Sequence, residues 1–427
     1  MQVAFETLGC RLNEAESEAW ARRFRAQGAS VVPVPQADVI VLNSCAVTGE
    51  AVRKSRQLIR RLKRTNPHAR LVVSGCYATL HPGEAAEALG VDLVVLNRDK
   101  DRLVEMTRHL LPGGDSEPDH CPYPPSRQQA FIKVQDGCRH RCTFCIVTVA
   151  RGEERSRPIE AVIEEILELR ESGVQEAVLS GVHLGGYGND LGLKLTDLIE
   201  AVLTQTELPR LRLGSLEPWE LNEDFFSLLS HHRMMPHLHL PLQSGSDTIL
   251  KRMGRRCRSQ DFIRLIEKAR SHRPDLTVTT DMIVGFPGET EQDFEKSLQL
   301  AREVGFAHIH IFPYSPRAGT AAASFPGQVE AGTKKERSRR LQQLAASLRQ
   351  QILSRHLHQT QAVLFERARD EEGGRFFCGY TPHFLRVKVN ACDGHDLTNS
   401  IRMVRLKAVN QEGDQLLGTL ATNSAFS

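Results

Sequence analysis

The sequence contains no apolar run near the roughly eighteen residues that a membrane span needs. It also lacks a basic region followed by an apolar one at its start, "MQVAFETLGC", so we expect no signal peptide and a cytosolic setting. Charge of one sign is scarce: 55 Lys and Arg stand against 52 Asp and Glu, a formal +3. Bulk charge therefore gives no argument for a nucleic-acid partner. Hydrophobic residues at 40% and charged residues at 25% are ordinary for a globular chain, and 427 residues suffice for several domains. Cysteine is not scarce. Ten are present, and in a reducing compartment they read as metal ligands or core residues, not disulfides. What is missing is a fourth cysteine beside Cys138, Cys142 and Cys145 in "DGCRHRCTFC". A closed zinc site takes four protein ligands, so zinc here would require His140 as the fourth.

Residues 1–112 alternate strands with helical patterns, which predicts a doubly wound parallel sheet. "VAFETLG" runs into Cys10, "DVIVLNS" into Cys45 and "RLVVSG" into Cys76, and "VDLVVL" is a further strand. Asn13 and Glu16 are spaced as a capping box. The three cysteines recur at intervals of 35 and 31 residues, each close to one βαβ repeat. Each falls past the carboxyl end of its strand, the edge where open parallel sheets build sites. They are therefore expected to meet. "VRKSRQLIRRLKR" (52–64) reads as a basic helix with Val52, Leu58, Ile59 and Leu62 on its apolar side, and a second basic helix covers 334–351. Residues 113–128, rich in Pro, Gly and charge, read as a linker in which Cys121 is incidental.

Residues 129–355 repeat the strand-then-helix rhythm six times, with strands at "AFIKVQD", "EAVLSGV", "RLRLGSL", "HLHLPLQ", "TVTTDMIVG" and "FAHIHIFPY". Six units fall short of a full eight-unit barrel and predict an open one. The cysteine run follows the first strand, at the face where such barrels carry their sites. In residues 356–427 five short strands divided by turn signals predict a small closed β-barrel, a type that often grips nucleic acid. Arg386, Lys388, Arg402, Arg405 and Lys407 give it modest positive charge.

Three thiolates suit a 4Fe–4S cluster with one iron open to a small molecule. The CxxxCxxC spacing after the first strand of such a barrel resembles the radical S-adenosylmethionine superfamily. Loops at later strand ends strengthen the resemblance: "GVHLGGYG" with Gly185 and Gly186, "SLEP" with Glu217, "LPLQSGS" with Gln243, and "IVGFPGET" with Gly285 and Gly288. By resemblance these residues would cradle S-adenosylmethionine. More closely, "TLGCRLNEAESE", "NSCAVTGEAVRKSRQLIRR", "SGCYA", "QDGCRHRCTFC", "ARGEERSR" and "FPYSPRAGT" are similar to the signatures of the methylthiotransferase family. That resemblance covers all three segments, the last being the family's RNA-binding TRAM barrel. It implies an auxiliary 4Fe–4S cluster on Cys10, Cys45 and Cys76, and a second on Cys138, Cys142 and Cys145 that cleaves S-adenosylmethionine to a 5′-deoxyadenosyl radical. A second S-adenosylmethionine would supply the methyl group of the transferred sulfur. No catalytic residue beyond the cluster ligands is implied. One departure is Thr148 in "CIVTVARG", where family members usually carry Pro.

The family's targets are threonylcarbamoyladenosine in tRNA, isopentenyladenosine in tRNA, or an aspartate of a ribosomal protein. "TLGC", "AVTGEAVRKSRQLIRR" and "HLHLPLQSGSDTILKRM" look most like the first branch. The alternative from another class is a non-catalytic iron–sulfur RNA-binding protein. Expected partners are tRNA and a flavodoxin- or ferredoxin-like electron donor, with the chain a monomer. Arg151, Arg155 and Arg157 are candidate readers of the threonyl carboxylate.

Overall fold

The computed structural model describes residues 1–110, 129–371, 374–390 and 396–421. The expected linker at 113–128, with Cys121, and also Cys392 lie outside the described residues.

The amino-terminal unit is a five-stranded parallel sheet of β1 (Gln2–Thr7), β2 (Ser30–Val31), β3 (Val39–Ser44), β4 (Arg70–Gly75) and β5 (Leu93–Val95). Its order is β2-β1-β3-β4-β5, so the three strands that run into cysteines are adjacent. All six residues of β3 are buried, as a strand covered on both faces requires. Helices α1 (Arg11–Ala26) and α2 (Gly49–Thr65) follow β1 and β3. α2 buries Val52, Ser55, Ile59 and Leu62 and leaves its arginines outward, as the pattern predicts. The capping-box expectation is corrected: α1 is capped by Cys10, which puts Asn13 and Glu16 inside the helix, where both are buried. After β4 comes the five-residue α3 (Cys76–Leu80).

The central unit has six strands: β6 (Gln129–Lys133), β9 (Glu176–Ser180), β10 (Arg210–Leu213), β11 (His237–His239), β12 (Thr277–Val284) and β13 (His308–Pro313). A short hairpin of β7 (Gln135–Asp136) and β8 (Arg155–Ser156) interrupts the count. Parallel pairing gives β6-β9-β10 and β11-β12-β13, joined by the bridges Leu211–Met234 and Ser215–His239. Among the described residues β6 and β13 are unpaired edges, so the barrel is open, as expected. Its main core packs Val162, Ile166, Leu198, Phe262, Phe294 and Leu341 against the outward strand faces.

The five predicted terminal strands are β14 (Thr360–Glu371), β15 (Gly374–Tyr380), β16 (Arg386–Asn390), β17 (Ile401–Val409) and β18 (Leu416–Leu420), closed in the order β14-β15-β16-β18-β17. This small barrel docks on the amino ends of the central strands. Arg212 donates to the Pro382 carbonyl at 3.1 Å, Thr277 to the His383 carbonyl at 2.8 Å, and Phe384 lies against His237 with ring centroids 4.9 Å apart. The carboxyl ends of the strands are left for the cysteines.

Candidate functional site

Cys45 and Cys76 immediately follow β3 and β4, Cys10 lies three residues past β1, and the three come together at one sheet edge. Gly75 allows this at Cys76. Its φ is +98°, and a Cβ there would stand 2.2 Å from the Ser44 carbonyl oxygen. Burial pushes the Cys45 thiol up to about 11, and the neighbouring Cys76 and Cys10 thiols add to the rise. The Asn13 amide group caps the same edge, donating to the carbonyls of Leu8 at 2.9 Å and Ser44 at 3.2 Å.

The second triad, Cys138, Cys142 and Cys145, lies on the loop after β7. Gly137 makes the approach possible, with φ +75° and a Cβ position 1.8 Å from the Glu153 carbonyl oxygen. Burial and mutual repulsion raise Cys138 to about 12, and burial, then Cys142, raises Cys145 to about 11. Donors point at these sulfurs: His140 N–H at 3.4 Å from Cys138, Val147 N–H at 3.5 Å from Cys145, and Arg255 Nη1 at 3.9 Å from Cys142. Both triads are free thiols. Crowded thiols raised in this way are deprotonated by a metal, and N–H···S donors stabilise cluster sulfurs. Each donor set fits a three-thiolate iron–sulfur cluster. The His140 ring turns its Nε2 to His183 Nε2 at 2.9 Å and to Glu220 at 3.2 Å. Cys257 lies against the Arg258 carbonyl at 3.4 Å and Cys378 is buried in the terminal barrel.

The two triads are fastened to each other. Helix α5 (Val147–Arg151) begins two residues after Cys145 and packs on α3, which begins at Cys76. (Helix α4, Leu103–Arg108, lies on the far side of the sheet.) Asn97 bridges them, with its amide nitrogen 2.6 Å from the Ala150 carbonyl and 4.0 Å from Cys76 Sγ. Arg151, at the end of α5, is buried and donates to Glu16 at 2.9 Å, Asp136 at 3.0 Å and Asn13 at 2.8 Å. Lys100 and Lys133 also pair with Glu16. Burial opposes the Glu16 charge, but Arg151, Lys100 and Lys133 outweigh it and hold the carboxyl well below its usual range. From the other side, Arg317 of "FPYSPRAGT" donates to the Ala46 carbonyl, next to Cys45.

This network engages two of the three candidate arginines. Arg151 is consumed as a staple between two units. Arg157 donates to Glu165, the Lys133 carbonyl at 3.0 Å and the Ala161 carbonyl at 3.0 Å, and Arg155 is exposed on β8. Arg151 and Arg157 therefore have their forks engaged, while Arg155 makes no side-chain hydrogen bond or ion pair among the described residues.

The other predicted residues lie at strand ends on the cysteine side. Gly185 and Gly186 form a tight turn after β9 whose Cβ positions meet Glu220 at 2.1 Å and His183 at 2.5 Å. His183 pairs with Glu154 and, at 2.6 Å, with Glu220. Burial raises the Glu220 carboxyl, but hydrogen bonds to His140 and His183 outweigh it and hold it down at about 2. Glu217 is gripped by Arg255 in two bonds of 3.0 and 2.6 Å, and Arg255 stacks over Trp219 at 4.5 Å. Gln243 holds φ +77°, rare for a residue with a side chain and a mark of functional sites. Gly285 N–H bonds Glu289 at 2.7 Å, and Gly288 N–H bonds the Gly327 carbonyl at 2.7 Å.

Sequence reasoning missed Arg255, Asn97 and the His183–Glu220 pair. Asn97 was within reach, since it lies just past the carboxyl end of β5, the same signal that marks the cysteines. Arg255 sits in a loop without periodicity and gave no such signal.

An open six-strand barrel with one cysteine triad, packed on a parallel-sheet unit with another, is the architecture of a radical S-adenosylmethionine enzyme. The Radical SAM superfamily model matches residues 132–301, and a family described as uncharacterized protein family UPF0004 matches residues 2–96. The threonylcarbamoyladenosine tRNA methylthiotransferase MtaB of Thermotoga maritima is 38% identical over 85% of this chain and 86% of its own. The protein of the same name from Bacillus subtilis is 37% identical over 90% and 89%. A tRNA-2-methylthio-N(6)-dimethylallyladenosine synthase of Bartonella bacilliformis is 35% identical over 91% of each chain. Among solved structures, the radical S-adenosylmethionine methyltransferase TsrM from Kitasatospora setae shares the fold, with TM-score 0.56 and 14% identity over 75% of this chain and 77% of that one. The chain belongs to the radical S-adenosylmethionine methylthiotransferase family, in its MtaB branch. It is a radical S-adenosylmethionine methylthiotransferase, an enzyme class whose cofactors are S-adenosylmethionine and 4Fe–4S clusters.

Proposed function

We propose that this enzyme places a methylthio group on C2 of N6-threonylcarbamoyladenosine, the modified nucleoside just 3′ of the anticodon in certain tRNAs. The observation that carries the reading is the packing of α5 on α3, which ties the cysteine triad of the barrel to that of the amino-terminal sheet. Two triads joined through α3 and α5 suit a reaction in which one centre makes a radical and the other delivers sulfur. The names of the curated relatives support the substrate.

Cys138, Cys142 and Cys145 would hold one cluster, and Cys10, Cys45 and Cys76 the auxiliary one. When bound, these groups and S-adenosylmethionine supply radical cleavage of the aromatic C2–H bond, which no side-chain base can deprotonate at neutral pH, and the sulfur and methyl that replace the hydrogen. The chain's own residues position and fasten. Arg255 clamps Glu217 beside Cys142, and Gly185, Gly186 and Gln243 line the strand ends where S-adenosylmethionine would lie. Buried Asn97, Arg151 and Glu16 fasten the unit that carries one triad to the unit that carries the other. Exposed Arg402, Arg405 and Lys407 on β17 would meet tRNA phosphates, as would the arginine face of α2. The working units are residues 1–112, 129–355 and 356–427, in the cytoplasm where tRNA is found, with electrons from a flavodoxin- or ferredoxin-like donor. The test offers the reconstituted enzyme tRNA bearing either the threonylcarbamoyl or the isopentenyl modification and counts methylthio nucleosides by mass spectrometry. Equal or better turnover of the isopentenyl tRNA, or product only on a ribosomal protein, would defeat the substrate assignment.

A further inference from the structure

The open barrel carries an imidazole cluster that neither triad uses. β11, β12 and β13 turn alternate residues away from the helix-packed core, in which Ile309 and Ile311 are set. The residues on the opposite face include His237, His239, Thr279, Asp281, His308, His310 and Phe312. His239 is fixed on both nitrogens, by Thr279 Oγ1 at 2.9 Å and Asp281 Oδ1 at 3.3 Å. His310 stands beside it, with ring centroids 5.6 Å apart, and beside His308, at 4.4 Å. His310 and Phe312 are exposed on the unpaired edge strand β13, so the cluster faces the gap in the barrel wall.

From the last helix, Ala331–Arg355, Arg349 reaches round the edge to His308 Nδ1. A guanidinium can only donate, so Nδ1 accepts and the His308 proton sits on Nε2, the nitrogen left to bind something else. No carboxylate among the described residues forms an ion pair with Arg349, whereas Arg11, the other arginine that faces His310, is paired with Glu14. Burial, then repulsion by His310 and Arg349, pushes His308 down to about 4. Burial also lowers His310, which is faced by Asp281 on β12, His239 on β11, Arg349 on the last helix and Arg11 on α1. Asp281 alone is acidic, and His239 already holds it. Arg349, His308 and His310 are the remaining donors of the cluster.

We infer that His308, His310 and Arg349 form the subsite for the carboxylate of the modified adenosine, with Phe312 beside it as an apolar wall. The inference rests on the substrate reading above and names the residues that distinguish a threonylcarbamoyl group from an uncharged isopentenyl one. Arg349 offers a planar fork and His308 and His310 offer N–H donors, the set that recognises a carboxylate with geometry as well as charge. An RNA backbone phosphate has the same chemistry, and the experiment separates the two.

Anticodon stem-loop RNA carrying threonylcarbamoyladenosine is compared with the same RNA whose threonyl carboxylate is converted to the amide, leaving every phosphate in place. The full, cluster-loaded chain should prefer the carboxylate by about 10-fold or more in kcat/KM, the factor expected for a charge-assisted hydrogen bond. His310→Gln and Arg349→Lys keep polarity or charge and avoid emptying the site, with iron per chain as the check of folding. Each should raise KM on the carboxylate RNA about 10-fold and leave the amide RNA unchanged, erasing the preference. Variants that retain the parent's preference, or that slow both RNAs equally as a phosphate contact or a purely structural role would, overturn the subsite. A parent with no preference overturns it whatever the variants do. A parent with no product on the carboxylate RNA defeats the substrate reading itself, and the subsite falls with it.

Discussion

Replacing Arg151 with alanine tests the fastening between the two cysteine units. Its side chain is 3% exposed and its fork serves Glu16 at 2.9 Å, Asp136 at 3.0 Å and Asn13 at 2.8 Å. At an effective dielectric of about 20, the Glu16 contact alone is worth about 6 kcal/mol of gross attraction. Desolvation of the ions offsets most of that, so the pair adds little net stability. Losing one partner is another matter, because buried charge is then left uncompensated, at a cost of about 3–5 kcal/mol. Lys100 and Lys133 still reach Glu16 in the variant, which favours the lower end of that range. Against a typical domain stability of about 5–15 kcal/mol, the effect is large. The chain has two tryptophans, Trp20 in α1 and Trp219 in the barrel, so single-tryptophan forms report each unit separately during urea unfolding. Arg151→Ala should move the Trp20 transition to lower urea, and Arg151→Lys should move it less. Product formation should fall further than cleavage of S-adenosylmethionine, because the triads lose their fixed spacing. Transitions within about 0.5 kcal/mol of the parent, together with unchanged coupling, would refute the staple.

Anaerobic reconstitution should give about eight irons per chain, half lost on replacing Cys138, Cys142 and Cys145 by Ala and half on replacing Cys10, Cys45 and Cys76. The fourfold variant of Cys121, Cys257, Cys378 and Cys392 should keep all of it, and stoichiometric zinc without iron would contradict both statements. Arg255→Ala removes a positive donor from Cys142 and should move the barrel cluster to a more negative potential in an EPR redox titration; an unchanged or raised potential would show that the 3.9 Å contact has no electronic role. Glu220, held down at about 2, contributes stability that is complete above the ordinary carboxylate value of about 4.3 and is lost as pH falls toward 2. Glu220→Gln should therefore flatten that acid limb of the unfolding curve, and a limb of unchanged slope would mean that other carboxylates set it.

Local pattern determined a good deal of this protein by itself. Alternating strand and helix periods gave the parallel sheet, the six barrel units and the five terminal strands, because each period is fixed by backbone geometry one element at a time. Cysteines at successive strand ends announced a shared edge, since parallel strands start and stop together; adjacency of β1, β3 and β4 completed it. Charge was a poorer guide. Arg151, Arg155 and Arg157 are alike in sequence, yet one is buried among Glu16, Asp136 and Asn13, one is exposed and one is bonded along a helix edge. Glu16 looked like a helix cap and is instead the acid at the centre of a contact between units, with partners 84, 117 and 135 residues away. The imidazole cluster likewise assembles from three strands and a helix that reaches round an open edge. Hydrophobic period is written within single elements. The partner of a charge is chosen by which elements pack together, and only the tertiary structure decides that.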